Sequence, residues 1–150
     1  MADNYTEMIH MLERVAKVNQ AVTLPFIQKK TGLQVVSKGQ DHGMIVTEAD
    51  LNVSSYLLNK PFDRFSPLRE SYPGSFSEED DSPQRLQALE IYQIDPIDGT
   101  GDFVDTYQSS KVTGPTTLIS KLTRTSPQEK FIAVAGMIFD VVHGIALLSD

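Results

Sequence analysis

Apolar residues recur at intervals of three and four along the first thirty residues, as in Met8, Leu12 and Val15. This period matches one face of an α-helix, so the pattern predicts an amphipathic helix across residues 4–30. Pro25 has no backbone N–H, and we expect it to kink or end this helix. The helix is predicted to be scaffold.

Short apolar segments separated by glycine, proline and polar residues predict strands along the rest of the chain. The first two strands form a hairpin around a polar loop at residues 38–43, and the last two form a hairpin that turns at His143-Gly144. Thr47, followed three residues later by Asp50, has the spacing of a helix cap and predicts a helix that runs to about Leu58. The predicted strands are residues 33–37, 44–46, 89–94, 117–122, 131–141 and 145–148.

The strand at residues 89–94 leads directly into Asp-Pro-Ile-Asp-Gly-Thr at residues 95–100. Pro96 stiffens the chain, so two carboxylates are placed on a rigid turn at the mouth of the strand. Gly99 has no Cβ, which lets a ligand oxygen approach the backbone. A short helix predicted at residues 101–107 would favour a phosphate at its first amides. Hard oxygen ligands beside an anion-binding helix start are typical of metal-assisted phosphoryl chemistry.

Two other interpretations of this motif compete with a metal site. Asp, Pro, Gly and Thr are all turn formers, so the motif could be a solvated surface turn with a helix cap. Haloacid-dehalogenase phosphatases carry Asp-x-Asp-Gly-Thr, in which the nucleophilic Asp stands two residues before the second Asp. Here Pro96 occupies that position and offers no nucleophile, which excludes this second interpretation.

The charge and residue usage narrow the classes of partner. The chain of 150 residues has 20 acidic and 13 basic side chains and a net charge of −7, which argues against a nucleic-acid polymer as partner. It has no Cys, which excludes a disulfide framework and a thiolate metal site. No signal peptide is evident, and the longest apolar run is too short for a bilayer, so we expect a cytoplasmic protein without a membrane partner.

Residues 95–100 resemble the signature of the inositol monophosphatase superfamily of magnesium-dependent, lithium-sensitive phosphatases. The resemblance extends to Val-Thr-Glu-Ala-Asp at residues 46–50 and to the pair Glu78-Glu79. It implies an α+β fold in which amphipathic helices pack on a largely antiparallel sheet. The resemblance therefore implies the N-terminal α/β half of the layered fold of that superfamily.

The resemblance also implies a reaction and its cofactor. Two or three Mg²⁺ ions would bind the carboxylates of Glu78, Asp95 and Asp98 and the backbone carbonyl of Ile97. A metal-activated water would then hydrolyse a phosphate monoester of a small metabolite. This donor set consists of the hard oxygen atoms that Mg²⁺ prefers.

Other residues receive supporting roles from the same resemblance. Glu78 and Thr100 are expected to orient the water, and Gly99 with Thr100 to bind the phosphate. Asp50 is expected to orient Thr100 through a hydrogen bond; the alternative is that Asp50 only caps its own helix. The accessory residues are Glu79 and Lys38.

The resemblance covers only the first part of the family's length. A Trp-Asp motif that completes the second metal site in the family is absent, since the chain has no Trp. We therefore expect residues 1–150 to be an N-terminal metal-binding domain of a longer protein, to have little activity alone and to expose apolar surface where a second domain packs. The full-length protein is expected to be a homodimer.

The substrate stays open at this point. An inositol monophosphate-like substrate is the leading hypothesis, and a 3′(2′),5′-bisphosphate nucleotide is the alternative. Gly101 stands where both kinds of phosphatase carry a larger side chain, so it favours neither. A third hypothesis is a non-catalytic acidic domain that binds divalent ions or a partner with the same carboxylates.

Overall fold

The computed structural model describes residues 4–29, 35–37, 45–100 and 115–149. Two longer helices, one four-residue helix, a 3₁₀ turn and seven strands make up this part of the chain. The helices are α1 (Asn4–Lys29), α2 (Glu48–Leu58) and α3 (Leu68–Ser71), and the 3₁₀ turn is Pro83–Leu86. The strands are β1 (Val35–Ser37), β2 (Ile45–Thr47), β3 (Phe76–Ser77), β4 (Glu90–Asp98), β5 (Thr116–Thr123), β6 (Ile132–Asp140) and β7 (Ile145–Ser149).

The central sheet has five strands in the order β3-β4-β5-β6-β7. The short strand β3 is parallel to β4, and every other pair is antiparallel. α1 and α2 pack against each other. α1 also packs against β6 and α2 against β4, so the core lies between the helices and one face of the sheet. The predicted α+β class is confirmed. The core includes Met8, Val15, Val18, Val53, Leu57, Tyr92, Ile94, Ile119, Met137 and Phe139.

We expected Pro25 to kink or end the first helix, and the expected end is wrong, because α1 continues to Lys29. An interior proline costs a helix about 3 kcal/mol. Val22 and Ile27, on either side of Pro25, pack against the main core, and Phe26 packs against a smaller cluster around Ile97. Apolar burial on both sides of the proline is what offsets the lost hydrogen bond.

The predicted hairpins are both present. β1 and β2 are antiparallel, with Val35 opposite Thr47, and the loop at residues 38–43 lies outside the described residues. β6 and β7 pair antiparallel around a turn that contains His143 and Gly144. Gly144 has φ +66°, a conformation that favours glycine.

One surface of the hairpin β6–β7 is apolar and exposed. Ile132, Ile138, Ile145 and Leu147 are between 46% and 67% exposed. The expected apolar surface is therefore present, and the domain expected to cover it stays a prediction. Within the described residues, no helix is long and apolar enough to cross a membrane.

Candidate functional site

β4 continues through the motif instead of ending before it. The strand runs to Asp98, but its register with β5 breaks, because Asp95 pairs with Leu118 whereas Asp98 pairs with Thr116. Two residues of β4 therefore face the single residue between Leu118 and Thr116, which is the arrangement of a β-bulge. Pro96 lies in this bulge, one of the few places in a sheet that tolerate a residue without an N–H.

Glu78 is placed beside the motif by the parallel pair β3–β4. Ser77 pairs with Ile94, and the Glu78 N–H donates to the Ile94 carbonyl at 3.1 Å. Because Ser77 and Ile94 are paired in parallel strands, the next residues along each chain, Glu78 and Asp95, are also neighbours. β3 ends at Ser77, so the pair Glu78-Glu79 directly follows this strand, and Glu78 is exposed.

The half-buried Asp95 shows that the acidic groups act on one another. Burial, followed by the negative charges of Glu78, Asp98 and Asp50, raises the pKa of Asp95 to about 6, against a smaller opposing hydrogen bond from the Ile97 N–H. None of the ion pairs among the described residues includes Asp95 or Asp98. The carboxylates therefore form one electrostatic group, in which a cation would relieve repulsion.

Asp50 connects the start of α2 to the motif. Its Oδ2 accepts from the Thr47 N–H at 2.7 Å and from the Thr47 hydroxyl at 2.5 Å, which completes a capping box. Its Oδ1 accepts from the Thr100 hydroxyl at 3.1 Å. Burial raises the pKa of Asp50, although hydrogen bonds from Thr47 and Thr100 act in the opposite direction.

Thr100 also contacts the bulge. Its hydroxyl lies 2.8 Å from the Ile97 carbonyl as well as 3.1 Å from Asp50 Oδ1, so its single proton is shared between two acceptors. Gly99, immediately before it, is exposed and has φ +79°, a conformation that few other residues adopt. The motif therefore turns sharply at Gly99 and leaves its backbone open to solvent.

The accessory residues and the predicted helix are described only in part. Glu79 is half-buried beside Glu78, and its N–H donates to Ser77 Oγ at 3.2 Å. Lys38 and the helix predicted at residues 101–107 lie outside the described residues. Their roles stay predictions.

The donor chemistry of the site fits Mg²⁺. Three carboxylates and the Ile97 carbonyl offer hard oxygen atoms, and burial together with the neighbouring negative charges raises the pKa of Asp95. Across the described ranges, no three His, Cys, Asp or Glu side chains lie close enough together to hold a metal ion as they stand. Like charge opposes their convergence, so these groups supply ligand chemistry but not a closed cage.

Two residues near the site were missed in the sequence. Thr117 donates its hydroxyl proton to the Pro96 carbonyl at 2.7 Å, and Asn19 donates to the Thr117 hydroxyl at 3.0 Å. The available signal was a polar residue on an apolar stripe, because Asn19 stands four residues after Val15 on α1. Nothing in the sequence indicated that this position faces the motif.

Two solved structures share this fold. The extragenic suppressor protein SuhB from Bartonella henselae has a TM-score of 0.68 and 19% sequence identity over 97% of this chain and 49% of its own. An IMPase/NADP phosphatase, solved in complex with Mg²⁺ and phosphate, has a TM-score of 0.62 and 15% identity over 96% of this chain and 46% of its own. Comparisons with protein-family models and with curated proteins found no match.

Both of these proteins are members of the inositol monophosphatase superfamily, so the predicted resemblance in fold is confirmed. The chain spans about half the length of each of them.

Proposed function

We propose that this chain, on the fold it shares with inositol monophosphatase-type proteins, carries the metal-binding part of a Mg²⁺-dependent phosphate-monoester hydrolase. The observation that carries the proposal is the setting of Asp95, where burial first, and then the negative charges of Glu78, Asp98 and Asp50, raise its pKa to about 6. Grouped acids of this kind are a feature of functional sites more often than of scaffolds. The Mg²⁺ and phosphate bound by one structural relative support the same chemistry.

Glu78, Asp95, Asp98 and the Ile97 carbonyl would hold the ions. Bound Mg²⁺ supplies Lewis acidity and lowers the pKa of a coordinated water. Two or three ions are proposed on the resemblance to the family.

The protein's own groups would orient the reactants. Thr100, fixed by Asp50, and the Glu78 carboxylate would orient a water for in-line attack, as in other phosphoryl transfers. The exposed backbone at Gly99 and Thr100 would donate N–H groups to the phosphate oxygens. Glu79 and Lys38 would support the site from its edge. No covalent intermediate with the enzyme is needed.

The substrate class proposed first is a small phosphorylated metabolite similar to inositol monophosphate, and a 3′(2′),5′-bisphosphate nucleotide is the alternative. Because the chain spans about half the length of its structural relatives, we expect it to be weakly active or inactive by itself. The groups that would grip the organic part of the substrate, and a homodimer interface, are proposed for the remainder of the fold.

The test is phosphate release with and without Mg²⁺ by the protein encoded by the whole reading frame that contains this chain, with both substrate types. Asp98→Asn should abolish release and leave the fold intact by circular dichroism. Asp63→Asn, an exposed acid paired with Lys17 away from the site, is the matched control and should retain activity. If Asp98→Asn retains full turnover, the catalytic proposal is wrong.

The same variants separate catalysis from simple ion or partner binding. The absence of a closed cage among the described acids is the observation that favours a non-catalytic ion-binding domain. Such a domain would bind Mg²⁺ but release no phosphate from either substrate, whatever residue stands at position 98.

A further inference from the structure

A chain of buried hydrogen bonds joins α1 to the bulge in β4. Thr23 donates its hydroxyl proton to Asn19 Oδ1 at 2.8 Å, and Asn19 Nδ2 donates to Thr117 Oγ1 at 3.0 Å. Thr117 in turn donates to the Pro96 carbonyl at 2.7 Å. The three polar side chains have no exposed surface. This chain of contacts crosses from the helix layer to the strand that carries the acidic motif.

The direction of these hydrogen bonds has only one consistent solution. Asn19 Nδ2 also lies 3.1 Å from the Val15 carbonyl, which can only accept, so the amide nitrogen must be the atom that faces it. Asn19 therefore acts as a donor towards Thr117. The Thr117 hydroxyl accepts this bond and gives its single proton to Pro96. Neither side chain can rotate without leaving a buried polar atom unpaired, which is costly.

The Pro96 carbonyl belongs to the same planar unit as the Ile97 N–H. Fixing the direction of the Pro96 carbonyl therefore fixes the direction of the Ile97 N–H, which points the opposite way in the same plane. Ile97 is buried, and its carbonyl, the backbone oxygen proposed as a metal ligand, accepts from the Thr100 hydroxyl at 2.8 Å. A rotation of this peptide would change the backbone angles on both sides of it, and it would therefore displace Asp95 on one side and the Ile97 carbonyl on the other.

We propose that Thr117 and Asn19 are positioning residues, which hold the Pro96–Ile97 peptide in the bulge and so set where the Ile97 carbonyl and the adjacent Asp95 and Asp98 carboxylates lie. The consequence for Mg²⁺ rests on the proposed function, whereas the orientation of the peptide does not. Pro96 has no N–H to donate, and the Thr117 hydroxyl supplies a donor for its carbonyl.

The experiment compares Thr117→Val, which removes the hydroxyl at almost constant shape, with Thr117→Ser, which keeps it. In the metal-free chain, we expect Thr117→Val to speed hydrogen exchange of the Ile97 amide about tenfold relative to the Ile119 amide, the effect of about one hydrogen bond. Calorimetric titration with Mg²⁺ should show an affinity about tenfold weaker. Thr117→Ser should remain within about twofold of the parent in both measurements.

Ser75→Ala is the matched control. Ser75 is fully buried and accepts from the Tyr92 N–H at 2.9 Å, so the change removes a buried hydroxyl beside the same strand but away from the bulge. It should lower stability like Thr117→Val and leave Ile97 exchange and Mg²⁺ affinity unchanged. Asn19→Leu interrupts the same chain of hydrogen bonds. Like Thr117→Val, it should speed Ile97 exchange and weaken Mg²⁺ binding, and it replaces Thr117→Val if that variant does not fold.

Unchanged Ile97 exchange in Thr117→Val and Asn19→Leu would overturn the positioning proposal, whatever happens to Mg²⁺ affinity. If Thr117→Val and Asn19→Leu speed Ile97 exchange but the parent chain binds no Mg²⁺, the positioning role is supported and the proposed metal site is contradicted. The two proposals therefore fail separately.

Discussion

The hydroxyl of Thr100 lies 3.1 Å from Oδ1 of Asp50, although the two residues are fifty positions apart. The other carboxylate oxygen of Asp50 caps α2 by accepting from the Thr47 N–H. Helix capping and contact with the motif were alternatives for Asp50 at the level of sequence, and one side chain makes both contacts with different oxygens. Its catalytic role stays a prediction.

This contact should appear as a coupling energy. Combining Asp50→Ala with Thr100→Val should destabilise the chain by about 1 kcal/mol less than the sum of the single changes, because the two residues share one hydrogen bond. Urea unfolding followed by circular dichroism measures all four states of the cycle. Glu48→Ala provides the control, since Glu48 lies on the same first turn of α2 and takes no part in this contact. A cycle with Glu48 that is equally non-additive would contradict the explanation.

Asp95 should make the stability of the metal-free chain fall as pH rises. Its folded pKa of about 6 lies above the ordinary value of 3.8, so between these values the folded state keeps a proton that the unfolded state has released. Stability is therefore lost as pH rises through this window, and the loss is complete above it. Asp95→Asn removes the effect and should raise Tm at pH 7.5 in EDTA, with a smaller gain at pH 4.5.

Asp63→Asn is the opposite-sign control. A hydrogen bond and the charge of Lys17 lower the pKa of Asp63, so its contribution is present above the ordinary pKa and lost as pH falls. Removing the Asp63 charge should therefore lower Tm slightly at pH 7.5. Asn tolerates the φ of +53° at this position, so backbone strain does not confuse the comparison. A loss of stability in Asp95→Asn at pH 7.5 would show that its charge is compensated in the folded state.

Sequence patterns predicted the strands well, because a sheet covered on one face leaves a period of two and is bounded by turn residues. They failed where tertiary contacts compensate for a local penalty. α1 passes Pro25 because partly buried apolar residues on both sides pack against the core, and β4 passes Pro96 because a bulge and Thr117 accommodate it. The cluster of Glu78 with Asp95 came from resemblance to a family, since no local rule brings residues from different strands together.

Arg14 should be the most costly charge to remove from the helix layer. It is buried, and its guanidinium donates to the carbonyls of Tyr56 at 2.8 Å, Leu57 at 2.6 Å and Ser66. Burial lowers its pKa to about 10, against the charge of Glu70, so it stays charged at neutral pH. Arg14→Met leaves the last carbonyls of α2 without a donor and should cost about 3 kcal/mol in urea unfolding.

Arg64→Met is the comparison for Arg14. Arg64 pairs with Glu13 at the surface, and exposed ion pairs contribute about 0–1 kcal/mol. If the two arginine variants lost equal stability, the carbonyl contacts of Arg14 would not be the source of the effect.

Gly74 should not tolerate a methyl group. A Cβ built on it would lie 2.6 Å from the Ala88 Cβ and 2.8 Å from Ile91 Cγ2, which are closer than two carbon atoms can approach. Ile91 is fully buried on β4, and the Arg85 Cα is 3.1 Å away on the backbone, so little can move aside. Gly74→Ala should therefore cost about 1–3 kcal/mol in urea unfolding, as overpacking does.

Gly136 on β6 is the matched glycine, because the nearest atom to its added Cβ is the Ile119 carbonyl oxygen at an ordinary 3.7 Å. Gly136→Ala should be neutral or stabilising by up to about 1 kcal/mol, since alanine restricts the unfolded chain more than glycine does. The two variants add the same atom, so only the space around it separates them. If Gly74→Ala and Gly136→Ala were equally stable, the packing of β4 and the 3₁₀ turn around Gly74 would be looser than these distances indicate.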